Sequence, residues 1–166
     1  AILAGGLLVV GRIKGVDRPA LGAIMPGKNG HFMVIDLGAN VDVKPHNLVE
    51  FAQMGTVYFE ALKGHIRPKV GLINIGEEAE KGNELTKEAY TLLSETEGIH
   101  FVGNVEPREI TDGDVQILVC DGFTGNVVLK MYEGVVKNLM SMIKGAMMET
   151  TKGKIGGLLV KPSLKE

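Results

Sequence analysis

The stretch from Val115 to Met148 constrains the fold of this chain more than any other part of the sequence. Val115–Cys120 is an apolar run with the length of a buried strand, and a long helical pattern extends from about Val127 to Met148. Between them lies Asp121–Asn126, with the sequence DGFTGN. A strand that turns through glycines into a helix aims backbone N–H groups and the positive end of the helix dipole at one point. We expect an anion there, and phosphate fits best, although an ordinary strand-to-helix turn explains the same residues.

Other apolar runs alternate with helical patterns in the same way. We predict further strands over Ala20–Met25, His31–Leu37, Lys69–Ile75 and His100–Val102. We predict helices from about His46 to Leu62 and from the N-cap Asn83 to about Glu97. The first of these helices is expected to turn one apolar side inwards: Leu48, Phe51, Ala52, Val57, Tyr58 and Leu62. Strands that alternate with helices over short loops predict an α/β fold with a mainly parallel, doubly wound sheet.

Four loops at the predicted carboxyl edge of this sheet combine glycine with asparagine. They are Gly38-Ala39-Asn40, Lys81-Gly82-Asn83, Gly103-Asn104 and Gly125-Asn126. Parallel strands place these loops at one edge, where ligands bind in such folds. An asparagine offers N–H donors without a charge that must be desolvated. The recurrence therefore predicts a shared polar pocket.

Composition excludes several classes of protein. The formal net charge of -2 argues against a nucleic-acid binder that relies on bulk positive charge. The chain contains no run of about 18 apolar residues, the minimum for a membrane-spanning helix. Its single cysteine, Cys120, excludes an internal disulfide and a cysteine-rich metal site, which suits a reducing cytosol.

The sequence contains no convincing nucleophile. Sequence signatures of P-loop, dinucleotide-binding, zinc-protease and serine-hydrolase sites are absent. Cys120 closes a strand that we predict to be buried, and buried cysteines are usually inert. A site without a nucleophile would act by positioning and electrostatics, which fits direct attack of a bound phosphate on an activated carbonyl. Lys81 is the best candidate cation, because it lies between an acidic loop and a predicted helix start.

Three basic or apolar segments have alternative interpretations. The loop Gly11–Pro19 carries Arg12, Lys14 and Arg18, which form either a solvated rim or a cationic wall for an anionic ligand. The broad apolar face of the helix after Asn126 suits either the core or a partner subunit. The glycine-rich, lysine-flanked segment after it, residues 151–161, suits either an interfacial membrane contact or packing against the rest of the protein.

The ends of the chain suggest an internal segment of a larger protein. Residues 1–10 have the pattern of a buried helix already under way, and no basic region precedes them as in a signal peptide. We expect residues 1–166 to form one α/β domain portion of a longer chain, with residues 149–166 as a projecting apolar segment.

Five motifs together resemble the PlsX family of acyl-ACP:phosphate acyltransferases. They occur in order along essentially the whole chain, which corresponds to about the middle half of a family member: VGRIKGVDRPAL, DLGANVD, KGNELTK, GNVEPRE and DGFTGNVVLK. The resemblance implies a three-layer α/β/α fold related to isocitrate dehydrogenase and phosphotransacetylase. It also implies transfer of a fatty acyl group from acyl carrier protein to inorganic phosphate, which gives acyl phosphate for phospholipid synthesis. A cytoplasmic bacterial homodimer is implied, peripherally bound to an anionic membrane surface, with no nucleic-acid partner and no metal or organic cofactor.

The resemblance also assigns roles to individual residues. Lys81 and Asn126 match the catalytic positions. Positions expected to bind substrate or phosphate are Asn40, Gly82, Asn83, Asn104, Asp121, Gly122, Thr124 and Gly125. Positions expected to contact the membrane are Ile155, Leu158, Leu159 and Val160. Two alternatives stay open, a phosphotransacetylase-like enzyme acting on coenzyme A esters and an inactive dimeric scaffold at the membrane surface.

Overall fold

A computed structural model describes residues 11–64 and 67–160 of the chain. The chain divides into two compact units, with the boundary between Val128 and Leu129. The predicted helix over residues 1–10 lies outside the described residues. The N-terminal unit contains a five-stranded sheet, and the described part of the C-terminal unit is helical.

The sheet is mainly parallel. Its strands are β1 (Gly22–Gly27), β2 (Gly30–Ile35), β3 (Lys69–Ile73), β4 (His100–Val105) and β5 (Ile117–Val119). They are arranged in the order β1-β2-β5-β3-β4. β1 pairs with β2 in an antiparallel hairpin, and the pairs β2–β5, β5–β3 and β3–β4 are parallel. The carboxyl ends of β2, β5, β3 and β4 consequently share one edge.

Two helices cover one face of this sheet. They are α1 (Pro45–Lys63) and α2 (Glu84–Glu95). α1 begins with a proline, which suits the first turn of a helix, and Gly64 ends it in the left-handed conformation at φ 63°. The core on this face consists mainly of Met33, Ile35, Val70, Leu72, Ile117 and Val119 from the strands and Leu48, Phe51, Ala52, Phe59, Ala89 and Leu93 from the helices.

Side chains on the opposite face of the sheet are buried as well. Phe32, Val34 and Leu118 have no exposed surface. Burial on both faces explains why these strands are apolar runs rather than alternating patterns. The predicted α/β fold with a mainly parallel sheet is confirmed.

The predicted inward side of α1 is correct for its first half and wrong for its second. Leu48, Phe51 and Ala52 are buried, whereas Val57, Tyr58 and Leu62 are 68%, 52% and 55% exposed. The buried stripe continues instead through Gly55 and Phe59, one turn apart. A Cβ atom at Gly55 would lie 3.0 Å from Cγ2 of Ile117, so the glycine lets α1 approach the sheet closely. The prediction counted apolar side chains and therefore overlooked this glycine.

The C-terminal unit is built from two helices. The long helix α3 (Gly122–Glu149) begins in the N-terminal unit, and α4 (Thr151–Val160) follows it after a single residue. That residue, Thr150, caps α4, because its hydroxyl accepts a hydrogen bond from the Gly153 N–H at 3.0 Å. A Cβ atom at Gly153 would collide with the carbonyl oxygen of Met147, so this tight connection requires glycine.

None of the helices within residues 11–64 and 67–160 combines the length and apolar character needed to cross a membrane. The described residues of α4 are half-buried or exposed. Its four predicted membrane-contact residues are all exposed: Ile155, Leu158, Leu159 and Val160. Their contact with a membrane stays a prediction.

Candidate active site

A buried carboxylate organises the loop after β2. Asp36 has no exposed surface, and its two oxygens accept four hydrogen bonds. Oδ1 accepts from the backbone N–H groups of Leu21 and Ala39, both at 3.0 Å. Oδ2 accepts from the backbone N–H of Asn40 at 2.7 Å and from its side-chain amide at 2.9 Å. A buried carboxylate needs such partners, and here they join two loop segments into one platform.

The start of α3 packs closely against this platform. The backbone N–H of Gly122 donates to the carbonyl oxygen of Asn40 at 2.7 Å. A Cβ atom at Gly122 would lie 2.6 Å from the same oxygen, and a Cβ atom at Gly125 would collide with the carbonyl oxygen of Asp36. Both glycines are therefore needed for close approach of two backbone segments.

The first turn of α3 already contains an anion of its own. Asp121 caps the helix, because its Oδ1 accepts from the Thr124 N–H at 2.9 Å and its Oδ2 from the Thr124 hydroxyl at 2.7 Å. The Gly125 N–H donates to the carbonyl oxygen of Asp121. A phosphate at this turn would face a carboxylate, and the N–H groups of Gly122, Thr124 and Gly125 already have acceptors. Phosphate binding at Asp121–Asn126 stays a prediction.

The start of α2 is different in charge. Asn83 caps this helix with a neutral amide, whose Oδ1 accepts from the Thr86 N–H at 3.0 Å, as the sequence predicted. Gly82 has φ +93°, and a Cβ atom there would collide with the Thr86 hydroxyl. The cap therefore adds no negative charge at the positive end of the α2 dipole, although Glu84 places a carboxylate in the first turn.

Asn74 supports this turn and was missed by the sequence analysis. Its Nδ2 donates to the carbonyl oxygen of Lys81 at 3.0 Å, and its Oδ1 accepts from the Ile75 N–H at 2.9 Å. The predicted strand Lys69–Ile75 includes Asn74. β3 ends at Ile73, so Asn74 lies at the carboxyl edge, as the other loop asparagines do.

A cleft of about 410 Å³ lies between the starts of α2 and α3. One wall is formed by Asn74, Gly82, Asn83 and Thr86, and the other by Cys120, Asp121 and Thr124. Apolar side chains of the core, including Leu48 and Leu72, close its inner end. The structure thus brings four predicted site residues together around one cavity: Gly82, Asn83, Asp121 and Thr124.

The two predicted catalytic residues lie beside this cleft and do not line it. Lys81 precedes Gly82, its side chain is exposed, and its methylene stem runs along Gly76, where a Cβ atom would lie 2.9 Å from its Cγ. Asn126 is exposed on α3 and lies against the loop after β2. A Cβ atom added at Gly38 in this loop would lie 3.4 Å from the Cβ of Asn126. Their catalytic roles stay predictions.

The remaining predicted asparagines have internal partners. Both N–H bonds of the Asn40 amide are used, one on Asp36 and one on the carbonyl oxygen of Pro19 at 2.8 Å. Asn104 is 8% exposed, and its Nδ2 donates to the carbonyl oxygen of Glu78 at 2.8 Å. Its Oδ1 is buried without a partner among the described residues. Both amide N–H bonds of Asn40 are thus used, whereas only one of Asn104 has an acceptor, the carbonyl oxygen of Glu78. Phosphate binding by these two residues stays a prediction.

Cys120 lines the cleft as an unreactive thiol. It is 2% exposed and lies 3.6 Å from the carbonyl oxygen of Asp36. Burial raises the pKa of the Cys120 thiol well above its ordinary value, and the carboxylates of Asp121 and Asp36 raise it further. The thiolate needed for nucleophilic attack is therefore scarce at neutral pH.

Arginine side chains of the basic loop 11–19 form hydrogen bonds that hold the loop in place. Arg12 donates to the carbonyl oxygen of Asp17 at 2.6 Å, and Arg18 donates to that of Asp42 at 2.8 Å. A hydrogen bond from Asn47, followed by one from His46, lowers the pKa of Asp17. Two of the three basic side chains thus hold the loop in place.

Within the described residues, no group of three or more histidine, cysteine, aspartate or glutamate side chains is placed to hold a metal ion.

Comparison with solved structures identifies the fold. The EutD phosphotransacetylase from Staphylococcus aureus superposes with a TM-score of 0.61, covering 80% of this chain and 46% of that one. Because the sequences are only 17% identical, this similarity shows the fold alone. It agrees with the predicted phosphotransacetylase-like α/β architecture.

Comparison with protein families identifies the relatives. The phosphate acyltransferase of Clostridium tetani is 61% identical over 165 residues, which are 99% of this chain and 49% of the relative. That of Clostridium acetobutylicum is 60% identical over 166 residues, which are 100% of this chain and 50% of the relative. The chain thus spans about half the length of these curated relatives. The family model described as "Fatty acid synthesis protein" matches residues 1–166. The chain therefore belongs to this fatty acid synthesis protein family, which confirms its resemblance to PlsX proteins.

Proposed function

We propose that the full-length protein containing this chain transfers a fatty acyl group from acyl carrier protein to inorganic phosphate. The observation that carries the proposal is the cleft between α2 and α3, which has a helix start with a neutral cap on one wall and an unreactive thiol on the other. Such a site favours direct attack by phosphate over a covalent acyl-enzyme. The relatives named phosphate acyltransferase support the same reaction class.

The reaction then needs one displacement at the thioester carbonyl. A phosphate oxygen forms a bond to the carbonyl carbon, and the tetrahedral intermediate collapses with cleavage of the C–S bond. The carrier's thiolate leaves and receives, through water, the proton that the attacking hydrogen phosphate gives up, and acyl phosphate is released. We assign phosphate to the start of α2, beside Lys81 and the amide of Asn83. We assign Asn126 to the carbonyl oxygen, where an N–H donor would offset the developing negative charge.

Turnover of the full-length protein tests this assignment. Phosphate-dependent release of acyl carrier protein from a long-chain acyl thioester is measured for Lys81→Ala and Asn126→Ala. Each variant is expected to lose about 100-fold or more in kcat, the usual cost of removing a group that stabilises the transition state. Lys87→Ala is the matched control, because Lys87 is an exposed lysine on the same helix.

Other outcomes would favour the alternatives. Unchanged turnover in both variants would remove the site assignment. Turnover of acetyl-CoA with none of the carrier-bound substrate would favour the coenzyme A enzyme. Absence of turnover with any acyl donor would favour the inactive dimeric scaffold at the membrane surface.

We also propose that the C-terminal unit binds a second subunit and an anionic membrane surface from the cytoplasmic side. The support is its exposed apolar surface. On α3, the exposed apolar side chains include Val135, Val136, Leu139, Met140, Met142 and Ile143. On α4, Lys152 and Lys154 are exposed near the apolar residues, and each lysine near an anionic surface contributes about 1 kcal/mol.

Two measurements separate these contacts. Leu158→Glu is expected to abolish co-sedimentation of the full-length protein with vesicles that contain anionic lipid, while the molar mass in solution stays unchanged. Leu139→Glu is expected to halve the molar mass measured by light scattering. Vesicle binding of Leu158→Glu at the level of the parent protein would contradict the membrane contact. An unchanged molar mass for Leu139→Glu would contradict the subunit contact.

A further inference from the structure

A second cavity of about 750 Å³ lies on the flank of α1 that faces the β1–β2 hairpin. Its helical wall contains Met54, Val57, Tyr58 and Ala61, which follow one another at helical spacing. The rest of the lining comes from Met33 and Ile35 of β2 and from residues between 13 and 22. This is the side of α1 whose apolar residues the sequence had placed in the core. We call this cavity the α1 cleft, and its volume is that of a small-molecule site.

One end of the α1 cleft lies toward the edge of the sheet that carries the candidate active site. α1 starts after the loop at the carboxyl edge and runs back along the sheet, so Glu50 lies nearer this edge and Ala61 farther from it. At the near end, Leu21 lines the cleft and bonds Asp36 through its N–H. Asn126 lies against Gly38 in the same Asp36 platform. A ligand in the cleft could therefore have one end beside the candidate catalytic asparagine.

The chemistry of the α1 cleft selects an uncharged, apolar ligand. Its lining is predominantly apolar, and Glu50 is its only charged lining residue among those described. The Glu50 carboxylate accepts the Asp17 N–H at 3.1 and 3.2 Å. From Glu50 to Ala61 the helix rises roughly 16 Å, at about 1.5 Å per residue. A methylene chain advances roughly 1.3 Å for each C–C bond of about 1.5 Å, so about a dozen methylenes would span the cleft.

We propose that the α1 cleft binds the fatty acyl chain of the thioester substrate, with its carbonyl at the Asp36 platform and its terminal methyl group near Ala61. This inference rests on the proposed acyl transfer and adds the part of the chain that recognises the acyl group. It also assigns a role to Val57 and Tyr58, which are exposed on α1.

Chain-length selectivity of the full-length protein tests the proposal. Ala61→Trp would fill the far end of the cleft and exclude the last methylenes of a long chain. Each excluded methylene costs a factor of roughly four in binding. We expect the ratio of kcat/KM for hexadecanoyl to decanoyl carrier protein to fall at least about tenfold. Leu62→Trp is the matched control, because Leu62 is a neighbouring exposed residue outside the cleft lining, and its ratio should not change.

A labelling experiment covers the case in which Ala61→Trp does not fold. Hexadecanoyl carrier protein with a diazirine at the terminal carbon is irradiated with the unaltered full-length protein, without phosphate. The expected result is a crosslink within residues 53–61. Crosslinks confined to other segments would overturn the proposal, as would an unchanged selectivity ratio in folded Ala61→Trp.

The two proposals fail in different ways. Absence of phosphate-dependent turnover in the unaltered protein refutes the proposed function, whereas labelling reports binding without turnover. Normal turnover together with crosslinks only outside residues 53–61 refutes the α1 cleft alone.

Discussion

The starts of α2 and α3 resemble each other in sequence and differ in chemistry. Both follow a strand of the parallel sheet, and both contain glycine and asparagine. Asn83 caps α2 with a neutral amide beside Lys81, whereas Asp121 caps α3 with a carboxylate. Gly122 and Gly125 at the start of α3 dock its backbone on the Asp36 platform. From this difference we expect the charge of the cap, rather than the presence of a glycine turn, to decide which helix start binds an anion.

Gly125→Ala should have the largest effect on stability, because it prevents the start of α3 from packing against the Asp36 platform. The added methyl group would collide with the carbonyl oxygen of Asp36, so the helix start must move away from the platform. We expect a loss of about 3 kcal/mol or more in the free energy of unfolding of the full-length protein, at the upper end for overpacked sites. Urea denaturation measures it.

Gly134→Ala is the matched control for this prediction. Gly134 also lies in α3, and a Cβ atom there would have open space around it. Alanine should raise the free energy of unfolding by up to about 1 kcal/mol, because it favours the helix more than glycine does. Equal effects of the two substitutions would show that the close approach at Gly125 has no energetic importance.

Exchanging the charges of the two caps should have an intermediate effect on substrate binding. Asn83→Asp keeps the capping oxygen of α2 and adds a negative charge where we place phosphate. We expect the KM for phosphate to rise about tenfold, equivalent to about 1.4 kcal/mol of repulsion. Steady-state kinetics at constant ionic strength measures this change.

The reciprocal exchange, Asp121→Asn, isolates the contribution of α3. It keeps a capping oxygen and removes the charge, so the KM for phosphate should stay the same or fall. A tenfold rise in Asp121→Asn with none in Asn83→Asp would reverse the comparison and place phosphate at α3.

Cys120→Ser should have the smallest effect on turnover. Burial and two neighbouring carboxylates raise the pKa of the thiol, so it stays protonated at neutral pH and takes no part in the proposed displacement. We expect kcat to stay within about threefold of the parent value, since the role of Cys120 is limited to packing. Iodoacetamide should alkylate Cys120 far more slowly in the folded protein than in urea. Rapid alkylation of the folded protein, with loss of activity, would contradict this assignment.

The sequence predicted the features that depend on neighbouring residues. Apolar runs and helical spacing located the strands and helices, and the cap of α2 was recognised at Asn83. The role of Gly125 could not be found in this way, because it depends on the backbone of Asp36, which is distant in sequence. The same is true of Gly55, whose missing side chain decides which face of α1 packs on the sheet. Asp36 itself was overlooked, because a carboxylate beside a glycine turn is usual at an exposed loop.

The strand order has a consequence for how the chain is completed during synthesis. β5 lies between β2 and β3, so the facing edges of these two strands have no partner in the sheet until residues 117–119 have been made. Unpaired edges of apolar strands are sites of mispairing and aggregation. Before that point, the native pairings available to the strands already made are the β1–β2 hairpin and the β3–β4 pair. The last and shortest strand thus joins these two pairs, and the Asp36 platform receives the start of α3 directly afterwards.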